Sequence, residues 1–178
     1  MSAILLDEHS SPSLRQVLGS SLARATEADF AVARIRLAQI DLTPAEVERV
    51  RRWRVLVGRL DVESLARPDQ HRNPQRDALT LLRLFDNGRM AVRAAGLQGW
   101  NPDFAVLRGL DGGGALTLLG SIYFGTPQHT DGPSFTCILT TPSHAAAATA
   151  RFDVLWQRAY DVEPVVREAL ERLCATHG

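Results

Sequence analysis

His129 and Asp131 follow Ser121 within a short stretch, in a segment that runs from Gly125 to Pro133. Serine, histidine and aspartate are the types a hydrolytic triad needs, because the imidazole must take the serine proton while the carboxylate holds the ring. Ser121 is not set in a G-x-S-x-G nucleophile elbow, and the segment is dense in turn formers, which suits a surface loop. The His129 and Asp131 pair also offers two metal-ligand types. His9, His71, His144 and His177 fall at no paired spacing with it, so neither a metal nor a cofactor is expected.

The densest basic run is Arg49, Arg51, Arg52, Arg54 and Arg59, with Trp53 among them. One reading is a phosphate-contacting patch with an aromatic ring available for stacking. The other is the solvated face of a helix, with Glu46 and Glu48 as local partners and Trp53 in the core. Gly112 to Gly114 joins two apolar runs instead of opening a helix, so it reads as a hairpin and not as a phosphate loop. Cys137 and Cys174 have no metal or redox spacing and read as structural thiols.

All twenty basic residues are arginine, which excludes any mechanism that needs a lysine amine. Twenty acidic residues bring the net charge to zero. A binder of nucleic acid that works through its whole-surface field is therefore not expected, while a local basic face is allowed. The opening Met1 to His9 stretch lacks a basic n-region and no apolar run is long enough to span a bilayer. A cytoplasmic protein with no membrane contact is the expectation.

At 178 residues the chain fits one domain over 1–178, with a core at about 12–161 and a C-terminal helix at about 162–175. A chain of this size buries roughly 70% of its unfolded surface and needs no disulfide or metal staple. Leu14, Val17, Leu18, Leu22 and Ala25 recur at helical spacing after Ser11-Pro12, where Ser11 can cap. Asp29 to Leu37 reads as a buried strand. Thr43-Pro44-Ala45-Glu46 is a capping box that starts a helix running to about Arg52, and Trp53 to Gly58 is a strand. Asn73-Pro74 opens a helix with a stripe of Ala78, Leu81, Leu82 and Phe85, stopped at Asn87-Gly88. Strands follow at Met90 to Arg93, Phe104 to Arg108, Ala115 to Leu119 and Phe135 to Thr140. Thr141-Pro142 opens a long helix with Phe152, Leu155 and Trp156, and a last helix carries Val162, Val166, Leu170 and Leu173. The order predicts an α/β/α sandwich around a mixed β-sheet.

From about Leu14 to Asp161 this order, with several local phrases, resembles the phospholipase D superfamily in its short single-motif, nuclease-like form. Gly88-Arg89-Met90-Ala91-Val92-Arg93 is similar to the family's G-x-x-V-R strand. Ala115 to Ser121 looks like the strand leading into the glycine-serine pair of its GSxN segment, and Phe152, Leu155, Trp156 and Ala159 match a helix common in its nuclease-like and defence-associated members.

In that family a histidine attacks phosphorus, a second histidine protonates the leaving oxygen, and Lys and Asn hold the phosphate charge. Set on the pattern HxK(x)4D(x)6GSxN, with a hairpin between Arg108 and Gly120 longer than the pattern's six residues, the resemblance places Asn101 at the histidine, Asp103 at the lysine, Arg108 at the aspartate and Tyr123 at the asparagine. Gly120 and Ser121 alone match. An amide does not attack phosphorus usefully, and a carboxylate about 4 Å from a phosphate is repelled by roughly 4 kcal/mol at an effective dielectric of 20. The expected reading is a degenerate domain that binds or assembles, in DNA metabolism or anti-phage defence. It would be a homodimer like its short relatives, with a protein partner or nucleic acid held on a local basic face. The alternatives are a phosphodiesterase or nuclease with a relocated site using His129, and a small-ligand sensor that reuses the vestigial pocket.

Overall fold

In the computed structural model, residues 3–6, 12–33, 49–58, 60, 74–96, 103–120 and 136–175 are described. An eight-stranded mixed sheet forms the centre: β1 (Ala3–Leu6), β2 (Glu27–Val32), β3 (Arg52–Val57), β4 (Met90–Ala94), β5 (Phe104–Leu110), β6 (Gly114–Gly120), β7 (Thr136–Leu139) and β8 (Tyr160–Asp161). Their spatial order is β1-β7-β6-β5-β2-β3-β4-β8. The pairs β2·β3 and β3·β4 are parallel, and every other neighbouring pair is antiparallel.

Period-two alternation divides the sheet into two unlike faces. Ala28, Phe30, Val32, Trp53, Val55, Val57, Met90, Val92, Ala105, Leu107, Leu116, Leu118 and Ile138 belong to one apolar core. Three helices cover that side: α1 (Leu14–Leu22) through Leu18 and Leu22, α2 (Pro74–Asp86) through Ala78, Leu81, Leu84 and Phe85, and α4 (Glu163–Ala175) through Val166, Leu170 and Leu173. The opposite face is covered by α3 (Pro142–Arg158), whose Phe152 and Leu155 pack on Ala31 and Leu56 in a second, smaller cluster. The α/β/α sandwich is thus present, with unequal layers.

Local chemistry accounts for the element ends. Helix α1 is capped by Ser13, whose hydroxyl accepts from the Gln16 amide while the Gln16 side chain accepts from the Ser13 amide. That reciprocal pair displaces the expected cap at Ser11. Helix α2 begins at Pro74 and stops at Gly88, which adopts φ 62°. Thr43 to Glu48, the start of the helix expected to reach Arg52, lies outside the described residues. Strand β2 starts two residues before the expected Asp29, and β3 includes Arg52, which was expected to end that helix. The reason is a cross-strand pair: Arg52 lies opposite Glu27 and donates to its carboxylate at 2.7 Å.

Candidate functional site

The parallel strands β2, β3 and β4 all point to one end of the sheet. Because β5 is antiparallel to β2 and β6 to β5, the start of β5 and the end of β6 lie at that same end. Asp103 immediately precedes β5, and Gly120 closes β6. Gly120 donates its amide to the Asp103 carbonyl at 2.8 Å, and Thr136 of β7 lies opposite Gly120. The Asp103 carboxylate accepts the amide of Ala33, the residue after β2, at 3.1 Å. Burial pushes the Asp103 carboxyl above the ordinary carboxylate range, and the single amide donor opposes this without cancelling it.

This end holds Asp103 and Gly120, two of the residues singled out in the sequence. Asp103 and Gly120, separated by a whole hairpin in the chain, become direct neighbours. Asn101 precedes Asp103 by two residues and Ser121 follows Gly120; both lie outside the described residues, as do Tyr123, His129 and Asp131. Among the described residues the partner of the Asp103 carboxylate is backbone, with no arginine neutralising it. Arg108, set by the resemblance at the family aspartate, sits near the far end of β5.

Arg108 belongs instead to a charged layer beneath α3. Asp29 is fully buried and receives the Arg54 guanidinium through two bonds of 2.7 Å, from Nε to Oδ1 and from Nη2 to Oδ2. Arg108 Nη2 approaches the same carboxylate at 2.7 Å. Arg108 Nε donates to Glu27 at 2.9 Å and its Nη1 donates to the Thr149 hydroxyl of α3 at 3.0 Å. Arg54 Nη1 reaches Asp153 of α3 at 2.7 Å, and its guanidinium lies 4.7 Å from the Phe152 ring centroid. Desolvation would lower the Arg54 pKa, yet Asp29 and Asp153 outweigh it and hold the guanidinium above its ordinary value. On the neighbouring strand Arg93 stacks on Trp156 at 4.8 Å and donates to its carbonyl at 2.9 Å.

Arg54 is therefore no phosphate contact. Its side chain is 14% exposed and engaged on both sides by carboxylates, which corrects the grouping of Arg54 with its neighbours. Trp53 is 1% exposed and stacks on Phe30, so it is a core residue and offers no stacking platform. Arg49, Arg51 and Arg52 are exposed at the sheet end opposite Asp103. Glu27, Asp29, Thr149 and Asp153 were not singled out. The legible signal was the alternation in Arg-Trp-Arg-Val and Glu-Ala-Asp-Phe, which puts charge on every second strand position.

Among the described residues no group of three or more His, Cys, Asp and Glu side chains could hold a metal ion, and no helix is long and apolar enough to cross a membrane.

No family model matches the chain, and no curated protein does. Solved structures do. Nuc from Salmonella typhimurium, a phospholipase D family member, superimposes with a TM-score of 0.57 at 14% identity, over 90% of this chain and 97% of that one. NucT from Helicobacter pylori gives 0.57 at 12% identity, over 90% and 98%. TrmBL2, an archaeal chromatin protein with a novel mode of DNA binding, gives 0.52 at 11% identity over 91% of this chain, which spans 54% of that protein.

Proposed function

We propose that this chain, whose fold is phospholipase D-like, has lost phosphodiester turnover and serves as a binding and assembly module in nucleic-acid metabolism, of which anti-phage defence is one branch. The carrying observation is Asp103. Beside Gly120, where the resemblance calls for a phosphate-holding lysine, stands a carboxylate that accepts a backbone amide. No lysine exists elsewhere in the chain to replace it. A carboxylate at that point repels the developing phosphorane charge that the family's lysine would attract. The fold shared with the DNA-binding TrmBL2 supports a nucleic-acid setting. Twofold pairing of the motif ends, as in short single-motif relatives, accompanies this reading and makes the module a homodimer.

The test is incubation of the purified protein with single- and double-stranded DNA, RNA and a chromogenic phosphodiester, with and without divalent metal. No turnover is expected. Turnover abolished by His129→Ala would replace this reading with a relocated active site. Light scattering at micromolar concentration reads the dimer, and a strict monomer would remove it.

A further inference from the structure

The sheet end opposite Asp103 gathers three segments. The turn after α1 brings Arg24 and Thr26; the approach to β3 brings Arg49, Arg51 and Arg52; the β5–β6 hairpin brings Asp111, Gly112 and Gly113. They are tied by backbone: Arg51 donates to the Thr26 carbonyl at 2.7 Å, and Thr26 donates to the Arg108 carbonyl at 2.9 Å. Arg24, Arg49, Arg51 and Arg52 are all exposed. Against these four arginines the described residues of the same segments and β2 supply two accessible carboxylates, Glu27 and Asp111, because the third, Asp29, is buried between Arg54 and Arg108. Arg49 stands 3.7 Å from Asp111, outside hydrogen-bond range, and Arg51 makes no ion pair among the described residues. Among the described residues, a chain of zero net charge thus shows a local excess of exposed cation at this end.

We infer that this end of the sheet, through Arg49 and Arg51 beside the glycine hairpin, binds the phosphate backbone of duplex nucleic acid without reading its bases. The inference rests on the proposed binding role and gives that role a partner and a face. Guanidinium groups pair with phosphate oxygens through two parallel bonds, so exposed arginines are suited to a polyphosphate. Gly112 and Gly113, both exposed with φ 83° and no atom near the position a Cβ would take, leave a side-chain-free ridge where a backbone can approach closely. Single-strand binding needs aromatic platforms, and the one aromatic ring within the arginine run, Trp53, is buried on the core side of the sheet. Phosphate contacts without base contacts position a duplex but carry no sequence information. This surface is also remote from Asp103, whose charge would oppose a phosphate.

Fluorescence anisotropy with a labelled 20-bp DNA duplex, the corresponding RNA duplex and each single strand, over a salt series, tests the inference. Duplex binding at low salt is expected, indifferent to sequence. With Arg24, Arg49 and Arg51 engaged and Arg52 held by Glu27, the slope of log affinity against log salt would be about −2.7, from roughly −0.9 per phosphate contact. Arg49→Ala/Arg51→Ala should weaken duplex binding at least tenfold and shrink the slope by about 1.8. Asp103→Asn, at the other end, should leave affinity unchanged. The double arginine variant is checked for an unaltered melting temperature, and Asp103→Asn for one no lower than that of the wild type. Wild-type affinity in the double arginine variant, binding that follows Asp103→Asn instead, a preference for single strands, or no duplex binding at low salt would each overturn the inference. Phosphodiester turnover, by contrast, would count against the proposed loss of catalysis and leave the arginine surface to stand on the anisotropy result.

Discussion

Gly120 and Asp103 are joined across β5 and β6 by an amide-to-carbonyl bond of 2.8 Å. The bond continues the ladder by one rung past the Phe104–Leu119 pair, so the two residues face each other because of strand register. A slip of one residue would turn every side chain of β6 to the other face and place Thr117 in the apolar core. The place of Asp103 beside Gly120 is thereby fixed by the same packing that holds the sheet.

Replacing Asp103 by Asn should stabilise the protein at neutral pH. Burial raises the carboxyl pKa above its ordinary 3.8, so the folded state holds the proton more tightly than the unfolded state. Stability contributed by this group is therefore present at low pH and declines as pH rises through the interval between the two values. Asparagine keeps an oxygen for the Ala33 amide and carries no charge. Its melting temperature should exceed that of the wild type at pH 7, with the gap closing below pH 3.8; equal melting at pH 7 would contradict the account.

Glu27 behaves in the opposite sense. Burial alone would raise its pKa, but the hydrogen bonds and charges of Arg52 and Arg108 together hold it below its ordinary 4.5. Its stabilisation is complete above that value and is lost as pH falls through the folded-state value. Thermal unfolding of Glu27→Gln across pH 2–6 should show a flatter acid limb than the wild type.

Asp29→Ala should be among the most damaging single changes on the α3 side. It would leave the Arg54 guanidinium, 14% exposed, without its bidentate partner, and Arg108 without a second carboxylate. Removing one member of a buried pair costs about 3–5 kcal/mol, which for a chain of this length lowers the melting temperature by about 10 °C. Hydrogen exchange should report lost protection in α3 before α2, because Asp153 and Thr149 are anchored through those arginines.

Two hairpin-region glycines separate conformation from space. Gly112 has φ 83° and nothing near its missing side chain, so Gly112→Ala carries only the left-handed backbone cost, about 1–2 kcal/mol. Gly109 has φ 65°, and a Cβ there would overlap the Thr26 hydroxyl. Gly109→Ala should lose about 1–3 kcal/mol more than Gly112→Ala in denaturant unfolding.

The layered α/β architecture was legible because α2 and strands β4 to β6 carry strong punctuation: Pro74, Gly88 and the Asp111 to Gly113 turn each act locally. Strands β1 and β8 were missed. Ala-Ile-Leu-Leu is too short and too unpatterned to read as a strand, and Tyr160–Asp161 pairs only because the chain turns between α3 and α4. The meeting of Asp103 with Gly120 followed from the predicted hairpin. The charged layer did not, since Arg54 beside Asp29 and Asp153 is a pairing of residues far apart in the chain, and a run of arginines looks the same whether it faces water or a buried carboxylate.

Strand β1 pairs with β7, Ala3 opposite Leu139 and Leu6 opposite Thr136, while Leu6 reaches the main core. The segment synthesised first among the eight strands must therefore wait for the seventh before it has a neighbour. During synthesis its apolar side chains are solvent-facing, and closure of this loop comes late and with a large sequence separation, which slows folding. Until β7 arrives, both edges of β1 are without a ladder partner, which leaves that strand open to wrong pairing.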